Sequence, residues 1–341
     1  MKAISRYYFI HSKILMLLFF NVEALLKPPK LLTYADDGQD LYLDICKEMN
    51  QYPVRSFYKG LLGSQIDLRY YCVNPYGIRA MAEALRYNKT VKIFNLTDNF
   101  LNDDSCYHLS DMLLTNKTLT NLILYGCKIG PDGAKRLFSS LPHNRGLKCL
   151  DLTRNQLGDE GVEHLANAID LGLDLNEINL SYNNITGKGV AFLTEVFDIK
   201  NTLTHINLSW NKLFTPGTYG FLLKLSESTC LQVLDLSWNS LAGPRISLAI
   251  KEILLCSNLK ELNLSNNKLE GEAITNIIGS ITKAKKLMKS LYKQGLFDPG
   301  ADEGCAKYIS LSDSSVFRHP YFNYPALKDP GIEDALLKPL P

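Results

Sequence analysis

From Leu119 onward the apolar positions of the chain keep a fixed rhythm. Leu119, Leu122, Leu124, Cys127 and Ile129 spell Leu-x-x-Leu-x-Leu-x-x-Asn/Cys-x-Leu, and Gly133, Leu137 and Leu141 follow at helical spacing. A step of 28 residues reproduces the set as Leu147, Leu150, Leu152, Asn155, Leu157, Gly161, Leu165 and Ile169. The same step lands on Leu175, Leu203, Leu231 and Leu259, with Asn183, Asn211, Asn239 and Asn267 in the asparagine slot. Stepping backwards gives Val91, Phe94, Leu96, Asn99 and Leu101, then a worn copy with Ile66, Leu68, Tyr71, Val73, Gly77 and Leu85. Eight units at one period, over residues 63–286, are the signature of a repeat architecture.

Each unit predicts a strand followed by a helix. Around Leu-x-Leu the apolar residues alternate with period two, so the leucines point inward and the residues between them outward. The asparagine slot (Asn99, Asn155, Asn183, Asn211, Asn239 and Asn267, with Cys127 as the variant) predicts a turn ladder, because an amide side chain can satisfy the backbone of a tight bend. Gly133, Gly161, Gly189 and Gly217 precede apolar residues at helical spacing. Strands about 4.8 Å apart backed by helices that need roughly 8–10 Å must curve, with the sheet on the inside. The expected fold is a right-handed α/β solenoid, a horseshoe with an inner parallel sheet and outer helices.

These residues resemble the leucine-rich repeat superfamily, in the 28-residue class typified by ribonuclease inhibitor, Ran GTPase-activating protein and the nucleotide-oligomerisation receptors. Within it, "LDLSWNSLAGP", "INLSWNKLFTPG" and the leader "LYLDICKEMNQYPVRSFYKGLLG" are similar to the subfamily of leucine-rich repeat-containing protein 74. Relatives in that subfamily carry a C-terminal extension with EF-hand-like character, and nothing here matches a calcium loop.

Outside the repeats, Leu41, Ile45 and Met49 at helical spacing and then Val54, Phe57 and Leu61 make residues 31–62 a helical N-terminal cap, covering the apolar end of the stack. Residues 287–297 read as a terminating helix, since Ser290 and Tyr292 stand where strand leucines belong. Residues 298–341 hold six of the 14 prolines and show no repeat, so a loose tail is expected there. Residues 1–30 place Lys2, Arg6 and Lys13 before an apolar run, Ile14 to Phe20, too short to span a bilayer. That leader reads either as a secretory signal or as a spurious extension. The eight cysteines are scattered rather than paired in caps, which favours reduced thiols and a cytoplasmic setting over secretion.

Composition narrows the partner. Thirty-seven Lys and Arg against 35 Asp and Glu, with no basic run, lack the footprint of a nucleic-acid or membrane binder. No phosphate loop, zinc helix, Cys-x-x-Cys pair or nucleophile elbow occurs, and no two of the six histidines share a phase on consecutive repeats. No catalytic residue, metal ligand or cofactor is expected, and the chain reads as a monomer that binds another protein on its concave face.

The period aligns candidate contact residues on that face. One column contains Arg154, Tyr182, Trp210 and Trp238, so three large aromatics stand on consecutive repeats; such residues are enriched at binding hot spots. Whether they bind or only stack on one another is open at this level. Tyr125, Glu177, His205, Asp235 and Glu261 fall nearby. The other function class implied by the resemblance is a GTPase activator like the Ran-specific one. Uniform 28-residue units and the lack of a long acidic C-terminal segment weigh against it.

Overall fold

In the computed structural model the described residues are 34–197, 202–255, 258–269 and 308–310. The expected leader and terminating helix lie outside them. The elements in chain order are α1 (Gln39–Glu48), α2 (Arg55–Gly60), β1 (Gln65–Asp67), α3 (Pro75–Leu85), β2 (Ile93–Asn95), α4 (Asp103–Thr115), β3 (Asn121–Ile123), α5 (Pro131–Phe138), β4 (Cys149–Asp151), α6 (Gly158–Asp170), β5 (Glu177–Asn179), α7 (Gly187–Val196), β6 (His205–Asn207), α8 (Thr218–Ser226), β7 (Val233–Asp235), α9 (Pro244–Leu255), β8 (Glu261–Asn263) and β9 (Tyr308–Ser310). A 3-10 turn, Leu141–His143, follows α5.

All nine strands form one open parallel sheet in sequence order, with the alternating helices of an α/β solenoid. From β1 to β8 every residue pairs with the one 28 positions on, as in Leu122 with Leu150 and Ile178 with Ile206. Leu124, Leu152, Leu180 and Leu208 stack indoors, each at most 1% exposed. Both leucine columns are buried along the whole stack, where each removes its side chain from water for roughly 1.5–3 kcal/mol.

The turn ladder is built from bonds between repeats. Asn211 Nδ2 donates to the carbonyls of Leu180, Leu208 and Ser209 at 3.0, 3.0 and 3.2 Å. Its Oδ1 accepts from the backbone N–H groups of Asn183 and Ile185, both at 3.0 Å. Asn99, Asn155, Asn183, Asn239 and Asn267 likewise donate to a carbonyl 31 residues earlier. Cys127 has only its thiol, which donates to the Leu96 carbonyl at 3.1 Å. The Leu101 N–H, left without an amide oxygen, bonds the Cys127 backbone carbonyl instead.

A second ladder stands on the loops entering the strands. Asn116 Nδ2 donates to the Leu85 and Asn88 carbonyls while its Oδ1 accepts from Thr118 and Leu119. Asn88 and Asn144 repeat the arrangement one period away on either side.

At the N-terminal end the helix stripe differs from the spacing argument. Tyr42 and Cys46 are the buried residues of α1, and Leu41, Ile45 and Met49 are half-buried. The cause is the polar handle of Tyr42: its hydroxyl accepts from the Val54 N–H at 2.9 Å while its ring sits 4.6 Å from Phe57. Phe57 in turn lies 6.0 Å from Phe94, which joins this segment to the repeat core.

The other difference is at the C-terminal end. Tyr308–Ser310, within the stretch expected to be a loose tail, pairs in parallel with β8 in the register Glu261↔Tyr308 and Asn263↔Ser310. Lys307-Tyr308-Ile309-Ser310-Leu311-Ser312 matches Lys260-Glu261-Leu262-Asn263-Leu264-Ser265 in type, but 47 residues on instead of 28. The rest of 298–341 lies outside the described residues.

Candidate functional site

The open face of the sheet carries rows of side chains that run across the repeats. Row one, at the strand starts, includes Asn121, Cys149, Glu177, His205, Val233 and Glu261; row two is the residue between the two leucines; row three follows the second leucine; row four comes next, at the rim.

Row two is largely spent on the fold. Asn95, Asp151, Asn179, Asn207, Asp235 and Asn263 each accept, through Oδ1, the N–H two residues later. Asp235 is fully engaged: Oδ1 takes the Ser237 N–H and hydroxyl, and Oδ2 takes Asn263 Nδ2 at 3.0 Å. Its carboxylate therefore faces the scaffold more than any visitor.

Burial raises the pKa of Asp151 and Asp235, with hydrogen bonds from the following hydroxyl residues opposing it. A carboxyl whose folded pKa lies above the unfolded value of about 3.9 supports folding most below that value and loses this support as pH rises through the folded pKa. Asp151→Asn keeps the acceptor for the Thr153 N–H and removes the charge. The expected result is about 1 kcal/mol more stability at pH 7 than wild type, with the difference shrinking toward pH 4. Urea unfolding at both pH values checks it.

Row four has a backbone signature. Tyr70, Asp98, Arg154, Tyr182, Trp210, Trp238 and Asn266 all have φ between 53° and 62°, and Gly126 in the same row has φ 64°. Only glycine, asparagine and aspartate visit this left-handed region readily. The conformation is imposed by the ladder: the N–H groups of Tyr182, Trp210 and Trp238 bond the Ser209, Ser237 and Ser265 carbonyls of the next repeat. Bulky side chains at such positions carry strain of about 1–2 kcal/mol per residue.

Those strained aromatics form a stack. Tyr182 and Trp210 are 4.6 Å apart at 16°, and Trp210 and Trp238 are 4.0 Å apart at 11°. Their exposures are 46, 39 and 41%, so a ridge of ring edges faces solvent. The row continues through exposed Arg154, whose pKa is raised by the hydrogen bond with Tyr125 and by Asp98. Asp98 lies over Gly126, where a Cβ would run into its carboxylate. Gly126→Ala is expected to cost about 1 kcal/mol for the left-handed backbone and to displace the Asp98 carboxylate from over residue 126. Thermal unfolding together with a variant structure tests both parts.

In row one, Glu177 and His205 come together, with Glu177 Oε1 3.8 Å from His205 Nδ1. Glu261 is separated from them by Val233 of the intervening strand. Of the expected contact residues, the structure joins Tyr182, Trp210 and Trp238 in one stack, Tyr125 with Arg154, and Glu177 with His205. The columns placed these residues on shared rows; Cys149, which lies against Glu177, had no signal of its own. Burial and Glu177 push the Cys149 thiol up to about 12, far from a reactive thiolate. Among the described residues no group of three or more His, Cys, Asp or Glu is arranged to hold a metal, and no helix is long and apolar enough to cross a membrane.

The repeat units also match known sequence families. A model described as Leucine Rich repeat matches residues 115–138, 143–166, 174–193, 200–217 and 227–244, and a second, described as Leucine Rich Repeat, matches 258–280.

Proposed function

We propose, from the premise that this chain is a leucine-rich repeat protein, that it is a non-enzymatic scaffold gripping one protein partner on the concave face of its sheet. Leucine-rich repeats support protein interaction in general; the choice of face and residues is our reading. The observation that carries it is the exposed stack of Tyr182, Trp210 and Trp238, held on backbone that suits Asn or Gly. Strain kept at a defined place points toward use.

A preformed face loses little conformational freedom on binding, so an ordinary interface of about 1,600 Å² is sufficient. Tyr125, Arg154, Glu177, His205 and Glu261 flank the stack as polar contacts, whereas Asp235 positions the strand end. The uniform 28-residue register supports placing the chain in the ribonuclease-inhibitor-like class, near leucine-rich repeat-containing protein 74. Free thiols at buried Cys46, Cys106 and Cys127 support a reducing, cytoplasmic setting, with the protein acting as a monomer. The contacts of Tyr42 with Phe57 and of Phe57 with Phe94 support the N-terminal cap expected over 31–62. The test is partner capture by full-length protein with and without the two tryptophans: retention of capture by a folded variant lacking both would overturn the reading.

A further inference from the structure

Among the described residues, one polar atom on the sheet face is left over: Glu177 is 6% exposed, and its Oε2 has no hydrogen-bond partner there. A buried carboxyl oxygen in that condition is costly, and native structures leave few of them. Among the described residues, the only basic group within ion-pair distance is His205, on the other oxygen at 3.8 Å, and its Nδ1 already lies 2.7 Å from Thr204 Oγ1. Lys148, on the neighbouring strand entry, is paired with Asp174 at 2.8 Å. The strands bring Cys149, Glu177 and His205 side by side in register, so the carboxyl sits in a fixed frame. Burial raises its pKa, with Cys149 opposing, as expected for an acid short of positive charge.

We propose that Glu177, framed by Cys149 and His205, receives a single arginine side chain presented by the protein partner. This rests on the concave face being the binding face, and it names what the partner must bring. A guanidinium supplies several N–H donors in a planar fork matched to a carboxylate, and its weak hydration makes it easier to bury than an ammonium. Glu177 lies five residues along the chain from Tyr182, at most about 18 Å away. One partner surface can therefore cover the aromatic ridge and place an arginine at the opposite margin of the sheet.

The experiment titrates full-length protein with three blocked tripeptides, alanine-X-alanine, in which X is arginine, lysine or citrulline. The His205 imidazole resonances are followed by NMR. Saturable binding of the arginine peptide is expected, weaker by about tenfold or more for citrulline and equally so in Glu177→Gln. Gln has the same shape as Glu, and the variant's melting curve establishes that it is folded. Equal binding by Glu177→Gln, or by citrulline, overturns the site; equal binding by lysine overturns the guanidinium assignment. Failure of the peptide arm while capture still needs Trp210 and Trp238 overturns the arginine site alone. Capture independent of those tryptophans overturns the wider reading instead.

Discussion

Trp210→Asn combined with Trp238→Asn leaves the protein folded and reduces partner capture by about 30-fold or more, the loss expected when a hot-spot pair worth at least about 2 kcal/mol is removed. Asparagine is chosen over alanine because the backbone at both positions is left-handed, φ 55° and 56°, and Asn266 already occupies the same row at φ 55°. Alanine would keep the backbone penalty of about 1–2 kcal/mol at each site, leave the lost stacking uncompensated and blur the comparison. Two stacking contacts are lost, worth about 0.5–1.5 kcal/mol each, and two strained aromatics are relieved. These nearly cancel, so the change in unfolding free energy is expected to stay within about 1 kcal/mol. Urea unfolding and capture are measured on the same preparations. A destabilisation well above 3 kcal/mol with capture intact would make the stack a scaffold ornament and end the binding proposal.

Asn211→Ala has the larger effect on folding, about 3–5 kcal/mol. It removes three donor bonds and orphans the Asn183 and Ile185 N–H groups in a site 8% exposed. Each buried group left unpaired costs about 1–3 kcal/mol. Because a solenoid's stability is a sum of units and nearest-neighbour interfaces, the damage is local. Unfolding is expected to split, with the repeats beyond β5 melting before those that precede it. Hydrogen exchange resolved by residue tests this; a single unbroken transition at lower denaturant would show that the stack is more cooperative than its ladder.

The period was readable because inward leucines and the turn amide tolerate few replacements, and it placed a strand around Leu-x-Leu in each of the eight units. β9 was not readable by the same ruler, since its copy stands 47 positions from β8 and only its local pattern survives. The buried stripe of α1 was missed because a tyrosine scored as an ordinary aromatic uses its hydroxyl to fasten Val54. Asn88, Asn116 and Asn144 escaped notice because their polar identity resembles loop chemistry; only their common spacing betrays the second ladder. Within the candidate site, the columns showed which residues share a row. They could not show that Asp235 is consumed by Ser237 and Asn263, or that Glu177 keeps an unpartnered oxygen, since both follow from burial at neighbouring repeats.

The turn amides all reach in one direction. Asn267 donates to Leu236 and accepts from Asn239 and Leu241, as Asn211 does for Leu180, Asn183 and Ile185. At the bend, each coil is therefore finished by the amide of its successor. A chain emerging from the ribosome always has its newest coil incomplete, waiting on residues about 28 codons downstream. A premature stop inside the stack leaves that incompleteness permanent, so shortened products should be cleared by proteases far sooner than their lost mass alone would suggest.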